Sequence, residues 1–258
     1  VLAMLEHFNK HEHQFVLKVS DWVNQVYYSH KIKTTKFLTL REQEIVQMLV
    51  NQNSEVRVSF EGGFQKAERK RAILYPDYLK LNNLSQYVKG YEIEYNQKLV
   101  TLKHPQILGS LTALNIDRSL IGDIVILSNG RIYLAICEEF SEFFLQHFHK
   151  VGKHSILIKE SSISQFEKID QEDEFEIIIS SMRLDVIVAS LMKVSRSQVH
   201  EYIMQAGVQV NWVIEQNHSR ICQIGDVLSI KRHGRFRLKV LKSRTKSERF
   251  VIIVGKTV

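Results

Sequence analysis

The sequence lacks the marks of several large protein classes. It holds two cysteines in 258 residues, Cys137 and Cys222. Each sits in an apolar, strand-like run without a nearby partner, which argues for buried thiols and against a disulfide framework or a zinc site. No run of eighteen apolar residues occurs, so no membrane-spanning helix is expected. The opening VLAMLEHFNKHEHQF has a short apolar patch followed by charged and histidine-rich residues, unlike the ordered regions of a signal peptide. A soluble, cytoplasmic protein is the expectation. Gly62-Gly63 belongs to no phosphate-binding loop, no nucleophile-elbow sequence appears, and neither a repeat nor a low-complexity tract stands out. His7, His11 and His13, and the pair His147 and His149, have no cysteine or carboxylate at metal-ligand spacing. No metal, cofactor, small-molecule substrate or catalytic residue is therefore expected.

What is present is charge, unevenly placed. The chain carries +7 overall, yet residues 182–258 carry +9 and the remainder −2. Lys231–Arg249 alone has nine Lys/Arg and one acid, interleaved with Phe, Leu and Val at strand spacing. A solvated basic face would look the same locally. A whole basic terminal module beside a slightly acidic remainder is instead the electrostatic footprint of a polyanion-binding domain.

The patterning divides the chain into units. Residues 1–75 read as mostly helical: Phe15, Val19, Trp22, Val23 and Val26 recur near helical period, and Thr39 caps a second helix with acids in its first turn. SEVRVSFEGGF is a short strand and turn, and QKAERKRAILYPDY reads as a basic helix stopped at Pro76. Residues 76–160 run strand (YEIEYN), helix after Pro105, two strands joined at Ser-Asn-Gly, helix (CEEFSEFFLQHFHKVG), strand (HSILIKE). This is the βαββαβ order of a ferredoxin-like or RNA-recognition-type sandwich, in which sheet-face aromatics stack bases. Tyr133 is the one obvious aromatic in the hairpin strands, and packing accounts for it more simply than stacking. Residues 161–181 are an acidic linker ending in the strand-like EIIIS. In residues 182–258, Leu184, Ile187, Val188 and Leu191 share one helix face. Ser195 and Gln198 frame a second helix that ends at Gly207, and short strands follow.

Four pieces in this last unit occur in a characteristic order: Arg183-Leu184-Asp185, Ser195-Arg196-Ser197-Gln198, Ala206-Gly207-Val208 with Val210-Asn211, and Ile224-Gly225-Asp226. Together they resemble the S4 RNA-binding domain found in a small-subunit ribosomal protein, several pseudouridine synthases and tyrosyl-tRNA synthetases. Trp212 stands where many such domains have glycine. Upstream, SFEGGFQKAERKRAILYPDY and HPQILGSLTALNIDRSLIGDI resemble the YlmH family, whose members join an N-terminal domain, a middle RNA-binding domain and a C-terminal S4 domain. The fold class expected is α+β with three small domains: a mostly helical N-terminal domain, a ferredoxin-like or RRM-like middle domain and a C-terminal S4 (αL-type) domain. The resemblance implies association with the ribosome, with the large subunit and its bound tRNA as the target, rRNA as ligand and a role in translation or ribosome quality control. It also implies a genetic context near cell division.

The residues themselves supply a binding mechanism. A helix N-terminus exposes unpaired N–H groups and the positive end of the macrodipole, so phosphate is a natural ligand there. Ser195, Arg196, Ser197 and Gln198 place donors on that turn, with Arg183 at the start of the preceding helix. Lys231, Arg232, Arg235 and Arg237 extend the positive field, and Asn211 is a weaker candidate that also reads as a turn residue. Ser195 and Gln198 read equally as a capping box. Arg69, Lys70 and Arg71 in AERKR are a second candidate RNA surface or a plain helix face. Asp185 lies in an RLD triplet that also occurs in pseudouridine synthases, where the Asp is the nucleophile. Here no synthase core surrounds it, and a first-turn acid stabilises a helix dipole. The alternatives kept open are an RNA-modifying enzyme with its site in the first two domains, and a cell-division scaffold.

Overall fold

The computed structural model describes all residues except 1–4, 7, 168–171, 206, 246–247 and 258. His7 and Ala206 of the sequence readings therefore lie outside the described residues. The chain divides into two compact units at residue 169/170.

The first unit begins with α1 (His13–Ser29), β1 (Lys33–Leu38), α2 (Leu40–Val50), β2 (Val56–Glu61) and β3 (Lys70–Pro76). Val16, Val19, Val23 and Val26 of α1 meet Ile45, Val46 and Leu49 of α2 and Leu74 of β3 in one core. Thr39 caps α2 and completes a capping box with Glu42, as its spacing predicts. The expectation of a mostly helical domain needs correction. Its helices pack on a three-stranded antiparallel sheet of order β1-β3-β2, and the basic helix expected before Pro76 is the central strand of that sheet. The run Ala72-Ile73-Leu74 is fully buried, and a strand covered on both faces loses the alternation that would have identified it. Pro76 is tolerated because it is the last residue of the strand.

Next come β4 (Val88–Glu94), α3 (His104–Ala113), β5 (Ile121–Ile126), β6 (Ile132–Cys137) and α4 (Ser141–His147). A small hairpin follows, β7 (Lys150–Val151) with β8 (His154–Ser155), and then β9 (Leu157–Glu160). The βαββαβ order stands, and the sheet order β5-β6-β4-β9, antiparallel throughout, is that of a ferredoxin-like sandwich. One sheet face packs on α3 and α4 through Tyr91, Leu111, Leu134, Ile136, Phe144 and Phe148.

The other face, where an RNA-recognition motif stacks bases, is covered. Phe37, Phe64 and Ile163 bury Tyr133, Ala135 and Cys137, and the Tyr133 ring stacks on Phe166 at 4.2 Å between centroids. Phe37 approaches so closely that a Cβ at Gly122 would lie 2.7 Å from its ring. Tyr133 is thus a packing residue with no exposed surface. Burial pushes the Cys137 thiol up to about 11, so it stays protonated and inert.

Arg71 secures the two halves of this unit. Its guanidinium is 1% exposed, donates to the Thr35 carbonyl at 2.6 Å and forks onto Glu139 at 2.6 and 2.7 Å. Replacing it strands these acceptors and leaves a cavity. Arg71→Ala is expected to destabilise the protein by about 3 kcal/mol, read as a fall in the urea midpoint at unchanged m-value; a midpoint within error of the parent would contradict this account.

The second unit holds β10 (Glu172–Ile179), α5 (Leu184–Met192), α6 (Arg196–Met204), β11 (Val208–Val210), β12 (Val213–Ile214), β13 (Val227–Ile230), β14 (Gly234–Arg244) and β15 (Phe250–Thr257). The sheet order is β10-β15-β14-β13-β11-β12. Leu184, Ile187 and Val188 of α5 and Val199 and Ile203 of α6 pack on Val208, Leu228, Phe236, Leu238, Ile252 and Val254. The strand-like end of the expected linker is an eight-residue edge strand here, paired along its length with β15, and it adds Ile177 and Ile179 to this core. Among the described residues, no helix is long and apolar enough to cross a membrane.

Candidate nucleic-acid interface

Two helix starts meet in the second unit. Arg183 is the N-cap residue of α5, and the first amides of that helix are bound by a neighbouring loop: Leu184 N donates to the Arg220 carbonyl and Asp185 N to that of His218. Ser195 caps α6, its Oγ accepting from Gln198 N while Gln198 Oε1 accepts from Ser195 N at 3.1 Å. Ser195 and Gln198 thus form the capping box that their spacing predicts. Their side chains hold the turn, and the turn holds Arg196 and exposed Ser197 at the surface.

Asp185 joins the two starts. Its side chain is fully buried in the first turn of α5. Arg183 forks onto it, Nε to Oδ1 at 3.1 Å and Nη2 to Oδ2 at 3.0 Å. Arg196 Nη2 donates to Oδ2 at 2.5 Å, and His200 Nε2 lies 3.1 Å from the same oxygen. Arg183 also donates to Ser219 Oγ at 2.9 Å, and His218 stacks on His200 with centroids 4.0 Å apart. Burial alone would raise the Asp185 pKa, but the bonds from Arg183, Arg196 and His200 outweigh it and hold the carboxyl well below its usual range. The acid that offsets Arg196 is thus eleven residues upstream, across the helix pair.

This arrangement suits an anion. Arg196 keeps more than half of its side chain exposed (55%), and Arg183 a third (33%). One buried carboxylate shared between two guanidiniums leaves a net positive, pre-oriented pair, which matches phosphate recognition. Asp185, His200 and His218 place potential metal-ligating atoms within 4.8 Å of one another, but two guanidiniums on the same carboxylate repel a dication. Burial beneath these partners also removes Asp185 as a nucleophile.

The remaining candidates do not gather here. Lys231 and Arg232 sit in the exposed β13–β14 turn, tied to the far end of α6 by Tyr202, whose hydroxyl donates to the Lys231 carbonyl. Tyr202 lies about 9 Å along the helix from Arg196. Arg235 is half-buried on β14. Arg237, expected to widen the basic field, pairs with Glu172 at 3.1 Å instead. Asn211 serves the fold: its amide donates to Asp226 Oδ1 at 2.8 Å and accepts from Val227 N at 2.9 Å. Asn211 and Trp212 form a two-residue hairpin turn with φ of 50° and 66°, so Trp212 takes the left-handed conformation that glycine adopts more easily.

In the first unit, Arg71 is buried as described and Arg69, half-buried, donates to the Phe37 carbonyl at 3.2 Å. Of the triplet expected to form a second RNA surface, the half-exposed Lys70 is what remains for solvent. Sequence reasoning missed His200, His218 and Ser219. His200 lies four residues after Arg196, hence on the same helix face, and that spacing was a usable signal.

Family models match along the chain in the order this architecture requires: "YlmH, N-terminal" over residues 11–79, "Putative RNA-binding domain in YlmH" over 86–165 and "S4 domain" over 182–228. The Ribosome-associated protein quality control protein P2 of Bacillus subtilis (strain 168) is 30% identical over 247 residues, 95% of each chain. The chain belongs to the YlmH family. A solved structure, the cell division protein ylmH from Streptococcus pneumoniae, is similar with a TM-score of 0.52 and 28% identity, over 60% of this chain and 93% of that one. The YlmH-type S4 domain is where the two-arginine cluster lies.

Asp185→Asn removes the charge that holds this cluster, at an expected cost of about 1–3 kcal/mol at neutral pH. A carboxyl with a lowered folded pKa contributes stability above its unfolded pKa of about 4 and loses it as the pH falls toward the folded value. The stability gap between parent and variant should therefore narrow in acid. Urea unfolding at neutral pH and below pH ~4 checks this; a gap independent of pH would refute the assignment.

Proposed function

We propose that this protein is a non-catalytic, cytoplasmic RNA-binding factor that associates with the ribosome through its S4 domain. Its target is rRNA of the large subunit, with bound tRNA, in the handling of stalled translation. The observation that carries this reading is the pair Arg183 and Arg196, locked on Asp185 at the starts of α5 and α6. Each guanidinium is oriented before a ligand arrives, which lowers the entropy lost on binding phosphate. The name of the Bacillus subtilis relative supports the ribosomal setting, and the family models over the middle and C-terminal domains support RNA as the ligand. Because the sheet face of the middle domain is covered, any RNA contact there uses edges, helices or loops.

Co-sedimentation with separated ribosomal subunits over a salt series tests the proposal. The parent chain should bind the large subunit in a salt-sensitive manner. Arg196→Ala and Arg183→Ala should each weaken binding and flatten the salt slope by about 1, without lowering the unfolding midpoint enough to unfold the protein. Unchanged affinity in both variants would sink the site. The streptococcal neighbour's designation favours a second reading, a division scaffold. That reading requires protein partners that stay bound after nuclease treatment.

A further inference from the structure

Strand β10 is dense in acid: Glu172, Asp173, Glu174 and Glu176 fall within five residues, with no Lys or Arg among them. It lies at the sheet edge, next to β15, while the basic strand β14 lies on the far side of β15. The side chains nevertheless meet. Glu172 reaches across β15 at Gly255, where a Cβ would come within 2.4 Å of its Oε2. It ends 3.1 Å from Arg237 Nε and 2.9 Å from Lys239 Nζ. Glu174 pairs with Lys239 at 2.6 Å, and Glu176 pairs with Lys242. The two lysines and Arg237 on β14 thus face three carboxylates from a single strand. The charge of this face is close to balanced, in contrast with the two arginines that share Asp185.

We infer that β10 is a counter-charge strand that withholds the β14 face from RNA and so confines binding to the Arg183 and Arg196 end of the domain. The inference rests on the RNA-binding reading above and adds to it the residues that set specificity. Unpaired, three cations at strand spacing would attract any phosphate backbone, since that attraction carries no sequence information. Paired with carboxylates on their own sheet, they release no counterions from RNA on contact, and breaking each pair costs part of what a phosphate would return. The exposed pairs of Glu174 and Glu176 individually add little to stability, while Glu172 is largely buried. Their consequence is the field they cancel.

The test uses the full chain with all three carboxylates neutralised, Glu172→Gln, Glu174→Gln and Glu176→Gln, and measures binding to an oligouridylate and to an unrelated RNA duplex over a salt series. The triple variant is expected to bind both probes about tenfold or more tighter at low salt, with a salt slope steeper by up to about 3. Adding Lys239→Gln and Lys242→Gln to the triple variant should reverse most of the gain. In the parent, the charge-neutral set Lys239→Gln, Lys242→Gln, Glu174→Gln and Glu176→Gln, which removes the lysines together with their partners, should leave affinity for both probes unchanged. A folded triple variant with parental affinity and slope overturns the inference, as does a loss of affinity in the charge-neutral set. Where the triple variant fails to fold, the charge-neutral set decides alone.

Arg196→Ala, assayed on ribosomes in parallel, separates this inference from the reading beneath it. Loss of ribosome binding in Arg196→Ala with no gain in the triple variant removes the counter-charge strand and keeps the site. A gain in the triple variant with Arg196→Ala unaffected keeps the counter-charge strand and removes the site.

Discussion

A buried carboxylate without cations would be too costly to keep ionised, and two arginines without a carboxylate would push each other apart. Asp185 resolves both at once, and the arginine-bearing end of the S4 domain depends on that resolution. The acid sits at the positive end of α5, where the helix dipole already favours it. Arg183 comes from the same turn, Arg196 from the next helix, and His200 one turn further along that helix. The cluster therefore joins the two helices and orients the cations in a single set of bonds. This explains why the chain can begin α6 with Ser-Arg-Ser-Gln and no acid in its first turn. The compensation comes through space from the preceding helix.

The first unit uses the opposite solution. There the buried charge is a cation, Arg71, and carbonyl oxygens and a half-exposed glutamate surround it. The bonds tie β3 to the start of α4, and Phe37 and Phe64 close over the middle domain's sheet. A ferredoxin-like sheet is a common RNA platform because its face is open. In this protein that face has become an internal interface, lined by Tyr133, Ala135 and Cys137. The same topology can thus hold two domains together, and RNA recognition by the middle domain cannot be inferred from its fold alone.

How far the sequence could be read depended on whether a residue's partner was local. Capping boxes at Thr39 and Ser195, the Ser-Asn-Gly hairpin and the βαββαβ order were legible because each is set within a few residues. The identity of β3 was not, since a strand buried on both faces shows no alternation and its flanking QKAERK looks helical. Arg71 and Arg196 illustrate the same limit in charge. As letters, both are exposed basic residues; one is an interior strut and the other is half committed to Asp185. Asn211 read correctly as a turn residue because its role is local, while the left-handed Trp212 beside it departs from the glycine that the turn favours.

The charge asymmetry that pointed to RNA is also altered by where the domain is cut. Taken from residue 182, the C-terminal segment carries +9; taken from residue 172, where β10 begins, it carries +5. The four acids that make the difference belong to a strand of the same sheet, and three of them pair with cations on β14. A basic run in sequence is therefore an upper bound on the field it presents. The field that remains depends on which cations the fold leaves without a full complement of acid. In this domain, Arg183 and Arg196 share one carboxylate between them, so part of the residual charge lies at the helix starts, where the macrodipole also favours an anion.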